Sequence, residues 1–157
     1  MKNFLKLAGA VALVTVPMQV NAATGNIPFN GNVADTCVVT VGTPGTLAAN
    51  PGFTVLGSQE AGGAPGTATL LTTGSSFSLS ADAPSGFSAG PGSANTNTTF
   101  AASYSASGDN VIPSTPGTTA TSLGSGSTNV SINMAATKTS GTFEAGAYEA
   151  TVILRCE

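Results

Sequence analysis

The stretch NVSINMAAT, residues 129–137, alternates apolar and polar side chains, with the small Ala135 in one of the polar positions. Successive side chains of a β-strand point to opposite faces of the sheet, so this alternation predicts a strand with one buried face and one wet face. Such strands are typical of antiparallel sheets that pack on one side only. The apolar side chains of the stretch are Val130, Ile132, Met134 and Ala136.

The same two-residue period occurs in three other segments: AYEATVILRCE at 147–157, FSLSA at 77–81 and FAASYSA at 100–106. Two shorter β-branched segments, CVVTV at 37–41 and FTVLG at 53–57, predict further strands. The alternating segments place on one face Phe77, Leu79, Ala81, Phe100, Ala102, Tyr104, Ala106, Tyr148, Ala150, Val152, Leu154 and Cys156.

Two segments are harder to interpret. TATLLTTG at 67–74 fits a strand or an ordered crossing, and residues 112–127, rich in Gly, Pro, Ser and Thr, predict a connection with one short edge strand. No segment after residue 22 keeps a helical apolar spacing for more than a turn. Roughly seven short strands with Gly/Pro-rich links predict an all-β, immunoglobulin-like antiparallel β-sandwich. A different all-β arrangement, such as a jelly roll, fits the same periodicity.

The first 22 residues have the pattern of a cleaved secretory signal. Lys2 and Lys6 precede an apolar run from Leu7 to Val16, and the small-residue ending is VNA at 20–22. The run is too short to span a bilayer, which needs about 20 apolar residues. We therefore expect an exported protein with a mature chain of residues 23–157 and no integral membrane segment after cleavage.

Charge and composition argue against several functions. Signal removal leaves only Lys138 and Arg155 as cations against seven carboxylates, a net charge of −5, so nucleic acid is not an expected partner. The chain has no His and no Trp, and Lys138 is the only Lys of the mature chain, so no group is in place to activate a nucleophile. We expect no enzymatic activity, no catalytic residue, no cofactor and no metal site.

Cys37 and Cys156 are the only cysteines. In an exported protein a disulfide is the default state of such a pair. It would close a loop of about 120 residues and contribute roughly 4 to 5 kcal/mol in the chain-entropy model. Two buried thiols or an intermolecular bridge are the alternatives.

The stretch NIPFNGNVADTC, residues 26–37, allows two interpretations. Asn-Gly at 30–31 is a strong hairpin signal. Apolar residues nevertheless keep a two-residue period through it, which favours a single extended strand with a gap at the glycine. The residues in phase are Ile27, Phe29, Gly31 and Val33.

Both ends of the mature chain resemble the chaperone-usher pilins, the subunits of type 1 and P fimbriae. GNIPFNGNVADTC at 25–37 is similar to their N-terminal segment, with alternating apolar residues, a central Asn-Gly, a Val and a following Cys. STNVSINMAATKTSGTFEAGAYEATVILRCE at 127–157 is similar to their last two strands. FTVLGSQEA and SSFSLSADA lie where the family has early strands, so the resemblance covers most of the mature chain.

The resemblance implies a sandwich that lacks its last strand and receives it from a neighbouring subunit or, before assembly, from a periplasmic chaperone. Residues 23–36 would be the donor extension and residues 37–157 the pilin-like domain. Ile27, Phe29, Gly31 and Val33 would enter the groove of the next subunit. The groove and the zipper with the chaperone would be formed by Tyr148, Ala150, Val152 and Leu154, with the carboxylate of Glu157 held by chaperone cations.

The sequence departs from the family pattern at three places. The family usually bridges its first Cys to one at the end of the second main strand, whereas the second Cys here is Cys156. Pro28 lies inside the donor stretch and lacks an N–H, so one ladder hydrogen bond must be missing. A glycine that the family often has well before the C-terminus is not matched in place here, and Glu144 stands nearest to its position.

The resemblance implies a structural subunit of a surface fimbria or pilus that polymerises by donor-strand complementation and supports adhesion or biofilm formation. Its partners would be like or related pilin subunits, a periplasmic chaperone and an outer-membrane usher. The alternative is a secreted, self-complete β-sandwich that binds a glycan or a surface protein. The second hypothesis has little support, because sugar-binding faces usually display aromatic side chains and the chain has two Tyr and no Trp.

Overall fold

A computed structural model describes residues 21–157. The predicted signal peptide, residues 1–22, lies outside the described residues except for its last two. The chain divides into two units, residues 1–31 and residues 32–157. Of the first unit only residues 21–31 are described, and they are exposed and form no regular secondary structure.

The second unit contains ten strands and, within residues 32–157, no helix. In chain order the strands are β1 (Cys37–Val41), β2 (Ala48–Ala49), β3 (Val55–Gly57), β4 (Gly66–Thr72), β5 (Ser78–Asp82), β6 (Thr98–Gly108), β7 (Ile112–Pro116), β8 (Thr121–Ser122), β9 (Gly126–Lys138) and β10 (Ile153–Cys156).

The larger, seven-stranded sheet is built around β9, the longest strand. One edge of β9 pairs with the whole of β6. Its other edge is shared by β4, opposite residues 126–132, and β3, opposite residues 135–137. β1 is added outside β4, so it forms an edge of this sheet. Residues 129–137 thus lie at the centre of the sheet, where both edges of the strand are paired.

The smaller sheet has three strands in the order β10-β5-β8. All strand pairs in both sheets are antiparallel. The two sheets meet in a core of Leu70, Leu79, Ala81, Tyr104, Ala106, Ile112, Leu123 and Val130. The predicted all-β antiparallel sandwich is confirmed.

The predicted disulfide between Cys37 and Cys156 is also confirmed. It joins the first residue of β1 to the last residue of β10, with their Cα atoms 6.4 Å apart. The disulfide therefore ties β1, an edge strand of the larger sheet, to β10, an edge strand of the smaller sheet, at one end of each strand.

The strand bounds differ from expectation at two places. The predicted strand over residues 147–157 is paired in the sheet only from Ile153, and before that only Glu149 makes an isolated bridge, to Ala89. Residues 112–127 hold two short strands, β7 and β8, instead of one. Residues 67–74, for which a strand and a crossing were both open, form most of β4.

Candidate functional site: a groove between two open sheet edges

The C-terminal segment forms one wall of a groove. From Tyr148 to Glu157 half-buried and exposed residues alternate, and the half-buried ones are the even-numbered residues. Val152 and Leu154 pack against the core, yet neither is fully buried. The apolar face of this segment is therefore only partly covered.

The backbone of the same even-numbered residues is unpaired on one side. Glu157 and Ser78 exchange both backbone hydrogen bonds, at 2.6 and 3.0 Å. In an antiparallel ladder such pairs recur every second residue, so Arg155 and Ile153 also point their backbone groups toward β5. Leu154 and Val152 then point theirs the opposite way. Within residues 21–157, no other strand pairs with that edge of β10.

β1 forms the opposite wall with the same geometry. Its pairing with β4 is flanked by the hydrogen bonds from Thr73 N to Thr36 O, at 3.1 Å, and from Gly42 N to Thr67 O, at 2.8 Å. The even-numbered residues of β1 therefore bond to β4, and Val39 and Val41 direct their backbone groups to the open edge. Val39 is 38% exposed and Val41, farther from the disulfide, 79%.

The cavity between these walls has a volume of about 460 Å³. We call it the edge groove. Its floor consists of side chains of the larger sheet, Ala68 of β4 with Ile132 and Met134 of β9. The residues that line it from β1 and the C-terminal segment are Val39, Val41, Tyr148, Glu149, Ala150, Thr151, Val152 and Leu154.

Aromatic side chains surround the end of the edge groove away from the disulfide. The Tyr148 ring makes edge contacts with Phe87 and Phe143, at centroid distances of 5.0 and 5.5 Å. Its hydroxyl donates to Glu144 O at 2.7 Å. Desolvation, reinforced by the Glu144 carboxylate, raises the pKa of Tyr148 above its ordinary value.

A second cavity, of about 720 Å³, adjoins this end. It shares Gly45, Leu47 and Tyr148 with the edge groove and is also lined by Phe53 and Phe143. The apolar lining therefore continues beyond Tyr148.

The last residue, Glu157, lies beyond the disulfide and does not line the edge groove. Its side chain accepts a hydrogen bond from Arg155 Nη1 at 3.0 Å, and Arg155 Nε also pairs with Asp82. The hydrogen bonds to the two carboxylates, first Asp82 and then Glu157, raise the pKa of Arg155. Arg155 is thus engaged by side chains on the outer face of the small sheet.

The alternating stretch near the N-terminus shows no hairpin. Residues 21–36 contain no strand, and neither Asn30 nor Gly31 has the positive φ that a type I′ turn requires. Ile27 is 78% exposed and Phe29 94%. A Cβ placed on Gly31 would meet no heavy atom within 4 Å.

In the second unit, the residues just before β1 are held in place. Thr36 N donates to Thr73 Oγ1 at 2.8 Å, and that hydroxyl donates to Ala34 O at 2.7 Å. Ser76 Oγ donates to Asp35 Oδ2 at 2.9 Å. The exposed Val33 is therefore followed directly by an anchored segment.

The site offers apolar side chains and backbone hydrogen-bonding groups, and no reactive constellation. Residues 21–157 include no group of three or more side chains arranged to hold a metal ion. In the same range no helix is long and apolar enough to cross a membrane. The chemistry that the edge groove supports is the addition of an extended strand.

Tyr148, Ala150, Val152 and Leu154, which the resemblance assigned to the groove and the chaperone zipper, all line this cavity. Val39, Val41 and the floor residues were not assigned to a groove, although the phase of Cys37 in CVVTV puts both valines on the disulfide side of β1. No protein-family model matches the chain, and no curated protein matches it.

Proposed function

We propose that this chain is a structural, non-enzymatic subunit of a surface fimbria or pilus, in which residues 23–36 of one copy complete the sandwich of the next. The observation that carries the proposal is that, along the edge groove, half-buried apolar side chains and unpaired backbone groups belong to the same residues. Val152 and Leu154, whose apolar side chains are half-buried on the C-terminal wall, are also the residues whose backbone groups point to the open edge. An inserted strand would cover these apolar side chains and pair with these backbone groups at the same time.

The N-terminal stretch has the chemistry of such a strand. Residues 23–33 carry no charged side chain and place Ile27, Phe29, Gly31 and Val33 at two-residue spacing. The three large side chains among them are each more than three quarters exposed in this chain, so all are available to a partner. Pro28 has no N–H, so the inserted strand would lack one ladder hydrogen bond at that position.

The same groove provides a site for a chaperone before assembly. In this proposal the chain is exported through the periplasm, where a chaperone strand zips along Tyr148, Ala150, Val152 and Leu154 and a basic chaperone site holds the carboxylate at Glu157. An outer-membrane usher then exchanges that strand for the extension of the next subunit. The fibre is extracellular and serves adhesion or biofilm formation.

Replacing Gly31 by Leu tests the proposal, because the new side chain meets nothing in its own chain. In the groove of a neighbouring copy, the leucine side chain would have to fit at the position where the donor stretch has a glycine and therefore no side chain. We expect Gly31→Leu to shorten or abolish the ladder of oligomers that survives unheated detergent. Polymers joined by an inserted strand persist in detergent because they are kinetically stable.

Gly92→Leu is the matched control. Gly92 is equally open to solvent, lies outside the proposed donor extension and does not line the edge groove. Its ladder should match that of the unmodified protein. A Gly31→Leu ladder of undiminished length would contradict donor-strand assembly.

A further inference from the structure

We infer that the Cys37–Cys156 disulfide is the closed end of the edge groove and fixes both the direction and the register of the strand inserted there. The inference rests on the proposed function. It concerns a second copy of this chain as the occupant, through its residues 27–33.

The disulfide leaves no room for a strand to pass. Neighbouring strands in a sheet lie about 4.8 Å apart, so a strand paired on both sides needs its neighbours roughly 9 to 10 Å apart. At the bridge the Cα atoms of Cys37 and Cys156 are only 6.4 Å apart. An inserted strand must therefore end before the disulfide.

The closed end also determines the direction of insertion. Only residues 34–36 separate Val33 from β1 of its own sandwich, and their hydrogen bonds to Thr73 and Ser76 hold them against it. A folded sandwich cannot enter the closed end. Val33 must lie at the open end, near Tyr148, and Ile27 must point toward the disulfide. The inserted strand thus runs antiparallel to residues 148–156.

The lengths of the two partners agree. Ile27 to Val33 and Tyr148 to Leu154 each span six residue steps, about 20 Å in extended chain. Antiparallel insertion up to the bridge places Ile27 beside Leu154 and Val33 beside Tyr148. Phe29 and Gly31 then lie beside Val152 and Ala150. Each of the four alternating residues of the donor stretch meets one half-buried residue of the wall.

Photo-crosslinking in the assembled full-length protein tests the register. The photoreactive residue p-benzoylphenylalanine is placed at position 27 in one preparation and at position 33 in another, and crosslinked peptides are mapped by mass spectrometry. We expect position 27 to crosslink near Leu154 and position 33 near Tyr148. The reverse order, or crosslinks from both positions to the same residues, would overturn the inference.

The disulfide is tested by repeating the experiment with Cys37→Ser and Cys156→Ser combined. Without the bridge, crosslinks from position 27 should shift by two or more residues toward Glu157. An unchanged map would show that the bridge does not set the register. The order test uses disulfide-intact protein, so it decides direction and register even if the double variant fails to fold.

A different outcome would contradict the proposed function itself. If neither position crosslinks to residues 148–156 of another copy, the stretch does not enter the edge groove at all. Crosslinks in the groove but in the wrong order would leave donor-strand assembly standing and remove only the role of the disulfide.

Discussion

At the scale of single residues, Tyr104 connects the two sheets. Its side chain is fully buried, and its hydroxyl lies 2.8 Å from Leu79 O, 2.7 Å from Thr119 O and 2.8 Å from Thr121 Oγ1. The hydroxyl therefore joins β6 of the large sheet to β5 and to the segment leading into β8. The alternation of residues 100–106 predicted that Tyr104 would face the core, but the partners of its hydroxyl depend on the packing of the sheets.

We expect Tyr104→Phe to lower the free energy of unfolding by about 1 to 3 kcal/mol, because it leaves buried polar groups without their partner. Tyr148→Phe is the control, since the Tyr148 hydroxyl has a single partner in an exposed position. Chemical denaturation of matched preparations measures both. Equal losses in the two variants would contradict the connecting role of Tyr104.

Lys138 is a buried charged residue, and its burial was not predicted from the sequence. Its ammonium donates to Ser93 O at 2.7 Å and Thr96 O at 2.8 Å, and lies 5.0 Å from the centre of the Phe143 ring. It also reaches Ala94 O at 3.3 Å. Backbone carbonyls and an aromatic face thus satisfy this charge and hold the loop before β6 against the end of β9.

At the scale of elements, the C-terminal segment has two faces with different roles. Val152 faces the edge groove, while Ile153, the next residue, is 53% exposed on the outer face. Thr is nearly the same size as Val but brings a hydroxyl, which costs roughly 1 to 3 kcal/mol when it is buried without a partner.

Val152→Thr should therefore weaken assembly more than Ile153→Thr. The measurement is the fraction of protein in detergent-resistant oligomers at a series of concentrations. In Val152→Thr the required concentration should rise about 5- to 160-fold, in line with that free-energy cost. Equal behaviour of the two variants would argue that the groove face is not the assembly face.

The elements show which patterns can be read from sequence. Most of β9 was predicted from the alternation of residues 129–137, whereas its first two residues, Gly126 and Ser127, lie in the segment predicted as a connection. The pairing of β10 stops at Ile153 because its partner β5 ends at Asp82, which alternation in the C-terminal segment cannot reveal. Ile112 and Leu123 are core residues in a segment predicted as a connection. Leu123 stands among Ser, Thr and Gly, and Ile112 lies between Val111 and Pro113, so neither belongs to an alternating run.

At the scale of the whole molecule, two sheet edges lie open on either side of one groove. Proteins usually protect such edges with charges, bulges or a covering segment. Here β1 carries no charge, and on the C-terminal wall the half-buried residues from Tyr148 to Leu154 are uncharged, although the exposed Glu149 also lines the groove. A second copy that supplies a strand would turn this exposed edge into part of the core.

Alternation predicted the apolar face of the C-terminal segment, since it is a local property, and only the family resemblance assigned that face to a groove. The β1 wall and the floor formed by Ile132 and Met134 depend on which strands pair, and composition and period do not encode that pairing. The closed end of the groove could be located only from the disulfide and the strand pairing together. The disulfide bounds the groove only once β1 and β10 are known to be its edges.

Amide hydrogen exchange in the assembled fibre tests the central claim most directly. The Ile153 and Arg155 amides already bond within the small sheet, whereas those of Val152 and Leu154 face the open edge. If a strand from a second copy fills the edge groove, Val152 and Leu154 should exchange as slowly as Ile153 and Arg155. Exchange at Val152 and Leu154 as fast as in an unpaired strand, in protein that is fully assembled, would contradict the account.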